Sequence, residues 1–353
     1  MPNGHQCPTP AEPHPLVVFG GSNSRNLATQ IAAYLDIELG EADTTPHPNG
    51  ESMVRIKTNV RHRDVFVVQS VSRSWLPSNE MPHTGINDNF MELLLWVDAL
   101  ARASAHRITA VIPHFGYARQ DRKAAGRTPI SARIVATCLE ETGCNRVLTL
   151  DLHSDQIQGF FSRRTVLDHL NAGQLIADHF KKLALEDSYA EKTRTLNAVV
   201  LAADVGNLKK ADKYRQGMPP NIDLAMVDKR RNSSTGQIKA ERIIGDVAGR
   251  VVILLDDIIS TAGTMRAAVD LALKEGAKEF RIAATHGEFV GAAVERLKHP
   301  AIAEICVTDS IPLLPSIKAA LPITVLSIAE LLGDAIYRIH SGESLSELLG
   351  KFG

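Results

Sequence analysis

The chain has 353 residues, and its 39 Lys and Arg residues nearly balance its 40 Asp and Glu residues, giving a formal net charge of −1. This balance excludes the general basic surface of a nucleic-acid-binding protein, so any anion site must be local. Four cysteines are too few for a disulfide framework in so long a chain, and no apolar run is long enough to span a membrane. We therefore expect a cytoplasmic protein of two domains, with neither nucleic acid nor a membrane as a partner.

Residues 1–15 include five prolines and no apolar stretch, which predicts a flexible N-terminal tail. Beyond this tail, short apolar strands alternate with amphipathic helices. That order predicts an α/β fold in which helices cover both faces of parallel sheets. In the first half we predict strands at 16–19, 65–68, 108–112 and 147–150.

Two helices of the first half can be placed from their ends. Asn89 followed by Glu92 predicts a capping box and a helix that continues to residue 101. Thr128 as N-cap and Pro129 at the first helical position predict another helix. The buried face of that helix is predicted to end at Gly143 and to consist of Ile130, Ile134 and Cys138.

A second series of similar layout begins after residue 161. It is predicted to contain a helix near 172–185 and strands near 198–202, 224–227, 251–255, 281–284 and 323–326. Two α/β series of comparable length predict two consecutive domains. We place them at residues 16–165 and 166–353.

The most informative stretch is VVILLDDIISTAGT, residues 251–264. Five apolar residues predict a strand buried on both faces, and Asp256 and Asp257 follow where that strand is predicted to end. The turn from Ser260 to Thr264 then offers small side chains and free backbone N–H groups at a helix N-terminus, where an anion binds favourably. A tight turn with a capping Thr and two solvated acids is the alternative. A cap alone needs neither adjacent acids nor a run of small residues.

This stretch resembles the phosphoribosyl diphosphate-binding loop shared by phosphoribosyltransferases and ribose-phosphate diphosphokinases. Three further stretches resemble the ribose-phosphate diphosphokinase family: PHFGYARQDRK at 113–123, DLHSDQIQGFF at 151–161 and DKRR at 228–231. THGEF at 285–289 follows in the family order. The resemblance covers most of the chain from residue 16. It implies two tandem phosphoribosyltransferase-like (type I) domains with the active site between them.

The resemblance also implies the reaction. The family moves the diphosphoryl group of ATP to the C1 hydroxyl of ribose 5-phosphate, with Mg²⁺ as cofactor, and releases AMP. The implied catalytic residues are Lys229 and Arg231. They belong to a flexible loop that continues through the polar stretch 232–236. The implied metal-site residues are His153 and Asp204. The implied ATP-binding residues are His47, Asn49, Glu51, Arg119, Gln120 and Asp121. The implied ribose 5-phosphate-binding residues are Asp256, Asp257, Ser260, Thr261, Ala262, Gly263 and Thr264.

Two further properties follow from the resemblance alone. In the family, the loop that matches His47 to Glu51 reaches a neighbouring subunit's site, which implies a homo-oligomer built from dimers, up to a hexamer. Family members also respond to phosphate and ADP at a subunit interface. The positions that match this allosteric site are Arg61, Arg127 and Ser310.

The chain departs from the family pattern at several positions. Ser260 stands where most members have Asp, Asn207 replaces a Gly, and Lys210 replaces an Arg. The connection from Val71 to Gly85 is also longer than usual. These departures leave open a weakly active or inactive regulatory paralogue. A phosphoribosyltransferase that consumes the diphosphate is a further alternative, although it does not explain the RQD and KRR segments.

Overall fold

The first half folds around a sheet of five parallel strands in a computed structural model that describes residues 14–73, 85–186, 197–218, 222–231 and 238–349. The strands of this half are β1 (Leu16–Gly20), β2 (Ala42–Asp43), β3 (Arg55–Ile56), β4 (Asp64–Val68), β5 (Arg107–Ile112), β6 (Arg146–Leu150) and β7 (Val166–Leu170). The main sheet has the order β1-β4-β5-β6-β7, whereas β2 and β3 form a small antiparallel pair. Every residue of β4 is buried, as expected for a parallel sheet covered on both faces.

Helices cover both faces of this first sheet. They are α1 (Arg25–Tyr34), α2 (Ile86–Arg102) and α3 (Ser131–Glu141), and a short 3-10 helix spans Asp155–Phe160. One apolar cluster joins α2 and α3 to one face of the sheet, and a second cluster joins α1 to the other. Parallel strands with helices on both sides confirm the predicted α/β class.

The second half folds around a seven-stranded sheet. Its strands are β8 (Ala198–Ala202), β9 (Asp223–Arg231), β10 (Ile238–Ile244), β11 (Val251–Ile259), β12 (Glu279–Gly287), β13 (Ile302–Thr308) and β14 (Ile323–Leu326). Their order is β10-β9-β8-β11-β12-β13-β14, and all neighbours are parallel except β9 and β10. Its helices are α4 (Gly173–Glu186), α5 (Leu208–Gln216), α6 (Gly263–Lys274), α7 (Ala293–Leu297) and α8 (Pro315–Ala320). Apolar clusters again lie on both faces of the sheet.

The chain crosses back to the first sheet at its C-terminal end, through α9 (Ala329–Ser341) and α10 (Ser346–Leu349). Leu332 and Ile336 of α9 join the apolar cluster of α1, and a side chain at Gly333 would collide with the ring of Tyr34. His340 Nδ1 also lies 2.9 Å from Asp64 Oδ2 of β4. The last helices therefore complete the first half rather than the second.

Strand β7 was not predicted, and it affects the division of the chain. It pairs in parallel with β6 from Arg146↔Val166 to Leu150↔Leu170. The predicted division between residues 165 and 166 would separate this strand from the sheet to which it hydrogen bonds. Strand β7 is thus the last strand of the first sheet, which extends to Leu170.

The predicted capping box at the start of α2 is wrong. The helix begins at Ile86, and the Gly85 amide donates a hydrogen bond to Asp88 Oδ2 over 2.6 Å. Asn89 and Glu92 are buried and hold neighbouring loops instead: Asn89 Nδ2 donates to the Ser72 carbonyl, and Glu92 accepts from the Ser22 amide. Tertiary contacts occupy the side chains that the local pattern assigned to the cap.

The predicted buried face of α3 is also wrong. Ile130 precedes the helix as its N-cap, and the side chain of Ile134 is 55% exposed. The residues that pack inward are Ala132, Val135, Ala136 and Leu139. The predicted end is confirmed, because Gly143 follows the helix with φ +102°. The face that packs on the sheet contains two alanines. The sequence pattern did not indicate this face, because the larger apolar residues Ile130 and Ile134 lie elsewhere.

The described residues contain neither a membrane-spanning helix nor a disulfide bond. No helix among them is long and apolar enough to cross a bilayer. Cys138, Cys144 and Cys306 are free thiols. Of the predicted tail, only His14 and Pro15 lie within the described part of the chain.

Candidate active site

The acids of the 251–264 stretch lie inside β11, not beyond its end as predicted. Pairing of β11 with β8 stops at Leu255, whereas pairing with β12 continues to Ile259. The C-terminal end of β11 therefore extends beyond the end of β8. Asp256 and Asp257 lie on this overhang, close to the segment that follows β8.

One cleft of about 310 Å³ lies between the two halves of the molecule. The first half contributes Arg119 and Gln120 from the segment after β5, and His153 from the segment after β6. The second half contributes Asp257 of β11 and His286 of β12. The carboxyl ends of strands from both sheets thus meet in one space, as the rule for ligand sites in open α/β sheets predicts.

A second cleft of about 350 Å³ adjoins the first. Its wall contains Asp204, Asn207 and Asp256, together with the whole loop from Ser260 to Thr264. The residues that line both clefts are Arg119, His153, Asp257 and Ile258. Residues predicted for ATP, for the metal and for ribose 5-phosphate therefore share one wall.

A histidine and a carboxylate form the contact between the halves at this wall. His153 Nδ1 lies 2.6 Å from Asp257 Oδ2, and this hydrogen bond raises the pKa of the imidazole. Burial opposes ionisation of Asp257. The hydrogen bonds of Asp257 with His153 and Asp256, and the charge of Lys210, nevertheless hold its pKa below the usual range. We therefore expect Asp257 to be the ionised acid of the pair.

Asp256 is in the opposite electrostatic situation. Burial raises the pKa of its carboxyl group, and the hydrogen bond and charge of the adjacent Asp257 raise it further. Its Oδ1 accepts hydrogen bonds from the Asp257 amide and from Asn207 Nδ2, each over 2.9 Å. Two neighbouring acids with pKa values pushed apart form one coupled pair.

The loop from Ser260 to Thr264 presents its backbone to the second cleft. Ala262 is the N-cap of α6 and adopts a left-handed conformation with φ +55°, and the described side chains provide no cap. Arg296 Nη1 holds the loop by donating to the Thr261 carbonyl over 2.7 Å. An uncapped helix N-terminus leaves N–H groups for an anion. A capping Thr, which the alternative interpretation required, is not found.

Two of the departures from the family pattern form contacts that the sequence did not predict. Asn207 bonds Asp256, as described above, and its own amide donates to Asp204 Oδ1 over 3.0 Å. Lys210 Nζ donates to the Leu152 carbonyl over 3.4 Å and thereby reaches from the second half to the first. The replacements therefore lie at the site, where they bind acids and backbone.

A buried hydrogen-bond network fastens the halves together beneath the first cleft, and we call it the interlobe network. Thr285 Oγ1 donates to Asp151 Oδ2 over 2.6 Å. His286 lies between the Leu150 carbonyl, 3.2 Å from Nε2, and Ser310 Oγ, 2.9 Å from Nδ1. These roles were not predicted, although Asp151 belongs to DLH and Thr285 and His286 belong to THGEF.

The chain matches two family models. One describes the N-terminal domain of ribose phosphate pyrophosphokinase and matches residues 16–143. The other describes a phosphoribosyl synthetase-associated domain and matches residues 173–350. Ribose-phosphate pyrophosphokinase of Agrobacterium fabrum is 44% identical over 335 residues, which cover 94% of this chain and 99% of the relative. That of Caldanaerobacter subterraneus is 41% identical, with 94% and 97% covered.

The chain belongs to the ribose-phosphate pyrophosphokinase family.

The fold comparison agrees with this membership. The crystal structure of phosphoribosylpyrophosphate synthetase from Mycobacterium smegmatis superposes with a TM-score of 0.80 at 38% identity. The match covers 93% of this chain and 99% of the mycobacterial chain. The predicted fold of two phosphoribosyltransferase-like domains is therefore confirmed.

Some predicted site residues lie away from the two clefts. His47, Asn49 and Glu51 are exposed in the turn between β2 and β3, where the His47 amide donates to the Glu51 carbonyl over 2.8 Å. Neither they nor Asp121 line either cleft. A single chain thus leaves this loop facing outward.

The predicted allosteric residues also differ in their surroundings. Arg61 and Arg127 are exposed, whereas Ser310 is fully buried. The Ser310 carbonyl accepts a hydrogen bond from Ser70 Oγ, and its hydroxyl belongs to the interlobe network. Ser310 therefore contacts the junction of the halves rather than an exposed surface.

The predicted catalytic cations need one correction. The backbone of Lys229 and Arg231 lies in β9 and pairs with Ala240 and Ile238 of β10, so they belong to an antiparallel hairpin rather than to a loop. Ladder hydrogen bonds along both strands hold this backbone. The side chains of Lys229 and Arg231, and residues 232–237 of the predicted lid, lie outside the described part of the structure.

Proposed function

We propose that this protein transfers the diphosphoryl group of ATP to the C1 hydroxyl of ribose 5-phosphate, giving 5-phosphoribosyl 1-diphosphate and AMP for nucleotide biosynthesis. The observation that favours this function most is the wall shared by the two clefts. Arg119, His153 and Asp257 face both spaces, so a nucleotide in one cleft and a sugar phosphate in the other would meet there. Diphosphoryl transfer depends mainly on such positioning and on charge stabilisation.

The second cleft supplies groups suited to a phosphorylated sugar. Asp256 and Asp257 can accept hydrogen bonds from ribose hydroxyls, and the N–H groups between Ser260 and Thr264 can hold the 5-phosphate. In the first cleft, Arg119 can pair with phosphate oxygens, and Gln120 can donate and accept hydrogen bonds at the purine edge. We assign ribose 5-phosphate to the second cleft and ATP to the first.

We propose that His153 and Asp204 hold the Mg²⁺ ion that the family generally uses. Among the described residues, no group of three or more His, Cys, Asp or Glu side chains is placed to hold a metal. Two ligands fit Mg²⁺ nevertheless, because this ion keeps several waters when it binds to proteins. The hydrogen bond from His153 Nδ1 to Asp257 leaves Nε2 for the metal side, as in other metal-binding histidines. Bound Mg²⁺ would neutralise phosphate charge.

We further propose a cytoplasmic homo-oligomer built from dimers, up to a hexamer. The exposed turn that contains His47, Asn49 and Glu51 supports this proposal, because these residues line neither cleft of their own chain. A neighbouring chain could bring the turn to a nucleotide site. Arg61 and Arg127, with Ser310 acting through the interlobe network, remain our prediction for an allosteric phosphate site. We propose that the first functional half comprises residues 16–170 together with the C-terminal helices α9 and α10, and that the second comprises residues 171–328.

The decisive experiment incubates the purified full-length protein with ATP, Mg²⁺ and ribose 5-phosphate and follows AMP. Equimolar AMP and 5-phosphoribosyl 1-diphosphate would support the enzyme. Retained ATP binding without turnover would instead favour the regulatory paralogue. Release of diphosphate that depends on an added nucleobase would favour a phosphoribosyltransferase.

Lys229→Ala is expected to lower kcat by about a hundredfold while the affinity for ATP changes little. A cation that stabilises the negative charge of the diphosphoryl group during transfer acts mainly in the transition state. Steady-state kinetics and equilibrium ATP binding measure the two effects. Arg242→Ala removes an exposed cation of the same hairpin, which pairs with Asp228, and serves as the control. Equal losses in ATP affinity and kcat would contradict the catalytic role.

Ser260→Asp restores the acid found in most family members, and it is expected to change KM for ribose 5-phosphate severalfold without changing KM for ATP. Ser260 lines the second cleft, where another negative charge would alter binding of a sugar phosphate. Kinetics with each substrate varied separately measure this selectivity. Ser344→Asp adds the same charge at an exposed position far along the chain. Unchanged sugar kinetics in Ser260→Asp would place this residue away from the sugar.

A further inference from the structure

Asn207 connects two acids of the second cleft through different atoms. It ends a short 3-10 helix, Val205–Asn207, between β8 and α5. Its backbone amide donates to Asp204 Oδ1 over 3.0 Å, and its side-chain Nδ2 donates to Asp256 Oδ1 over 2.9 Å. The residue is half-buried and forms part of the cleft wall. Asn207 thus forms hydrogen bonds with Asp204, which we assign to the metal, and with Asp256, which we assign to the sugar.

The side-chain bond matters because of what surrounds Asp256. The carboxyl groups of Asp204, Asp256 and Asp257 line the same space. The orientation of the Asp256 carboxyl group among these acids depends on the hydrogen bonds that it accepts. The amide of Asn207 and the backbone amide of Asp257 both donate to Oδ1, and two donors fix the plane of the carboxyl group. An amide does this without adding charge.

We propose that Asn207 is a positioning residue for the sugar: its amide holds the Asp256 carboxyl group in the orientation that accepts hydrogen bonds from ribose hydroxyls. This inference rests on the proposed function of the second cleft and adds a residue to it. Asn207 acts through Asp256 and need not touch the substrate. The geometry also separates the two substrates, because Asn207 lines the second cleft and not the first.

The test replaces Asn207 by Ala, which removes the side-chain donor and leaves the backbone bond to Asp204 in place. Loss of this side-chain hydrogen bond predicts about a fivefold weaker affinity for ribose 5-phosphate, with KM for ATP within about twofold of wild type. Asn207→Asp has the same shape, but when ionised it cannot donate a hydrogen bond and it adds a negative charge beside the acids of the cleft. It is expected to lose more affinity than Asn207→Ala. Lys209→Ala, at an exposed neighbouring position, is the matched control.

Two measurements decide the outcome. Calorimetric titration of ribose 5-phosphate into the full-length protein gives the sugar affinity without turnover, and initial rates of AMP formation give KM for each substrate. Selective loss of sugar affinity in the order wild type, Ala, Asp supports the proposal. Unchanged sugar affinity in Asn207→Ala, or equal losses for both substrates, would overturn it. If the wild type binds the sugar but forms no AMP, the proposed function fails while the affinities still decide the role of Asn207.

Discussion

Asp257→Asn is expected to lower kcat/KM for ribose 5-phosphate by about a thousandfold, which corresponds to roughly 4 kcal/mol of transition-state stabilisation. Asp257 lines both clefts, is 5% exposed and holds His153 through a 2.6 Å hydrogen bond. An amide has the same shape but removes the charge that stabilises the imidazole. It also replaces an acceptor for the sugar hydroxyls, so binding and orientation should both suffer.

Initial rates of AMP formation at saturating and limiting sugar measure this loss, and thermal unfolding checks that the variant is folded. The control is Asp223→Asn in β9, because the carboxylate of Asp223 is 63% exposed and pairs with Arg250 at the surface. Exposed ion pairs contribute little to stability, so the control should retain its activity. An Asp257→Asn enzyme within tenfold of wild type would exclude the shared wall as the reaction site.

Asp151→Ala is expected to lower the free energy of unfolding by about 4 kcal/mol. Asp151 is 2% exposed and accepts hydrogen bonds from the Asn171 side chain, the Ala172 amide and Thr285 Oγ1. Alanine would leave these three donors, of which Ala172 and Thr285 are buried, without their acceptor. The left-handed backbone of Asp151, at φ +40°, adds to the cost because Ala tolerates it less well than Asp or Asn.

Equilibrium unfolding in urea measures the change, and Asp151→Asn is the matched variant. Asparagine tolerates the left-handed backbone and keeps one acceptor oxygen, so its loss should be less than half that of Ala. Because Asp151 precedes the segment that holds His153, Asp151→Ala should also lose activity in the folded fraction. Equal stability of Ala and wild type would show that the interlobe network does not hold the halves together.

Much of the fold follows from local sequence patterns. The apolar run that forms β11, the small-residue turn after it and the glycine that ends α3 were all located correctly, because each depends on neighbours within one element. Strand β7 was missed because Asp168 and His169 interrupt its apolar pattern. Its pairing with β6 is a tertiary contact that the pattern does not contain. The helix faces were harder to predict, since packing rather than side-chain size selects the buried face.

In the site, too, some features follow from local sequence and others only from tertiary packing. The sequence by itself determined which segments bear acids, cations and an anion-binding turn, because these chemistries are properties of short motifs. Only the tertiary structure decided that Asp256 and Asp257 lie within a strand overhang, that Ser310 is buried, and that Asn207 reaches Asp256. Contacts such as Thr285 with Asp151 join residues 134 positions apart. No local periodicity encodes such a distance, because it is fixed by how two separately formed sheets pack against each other.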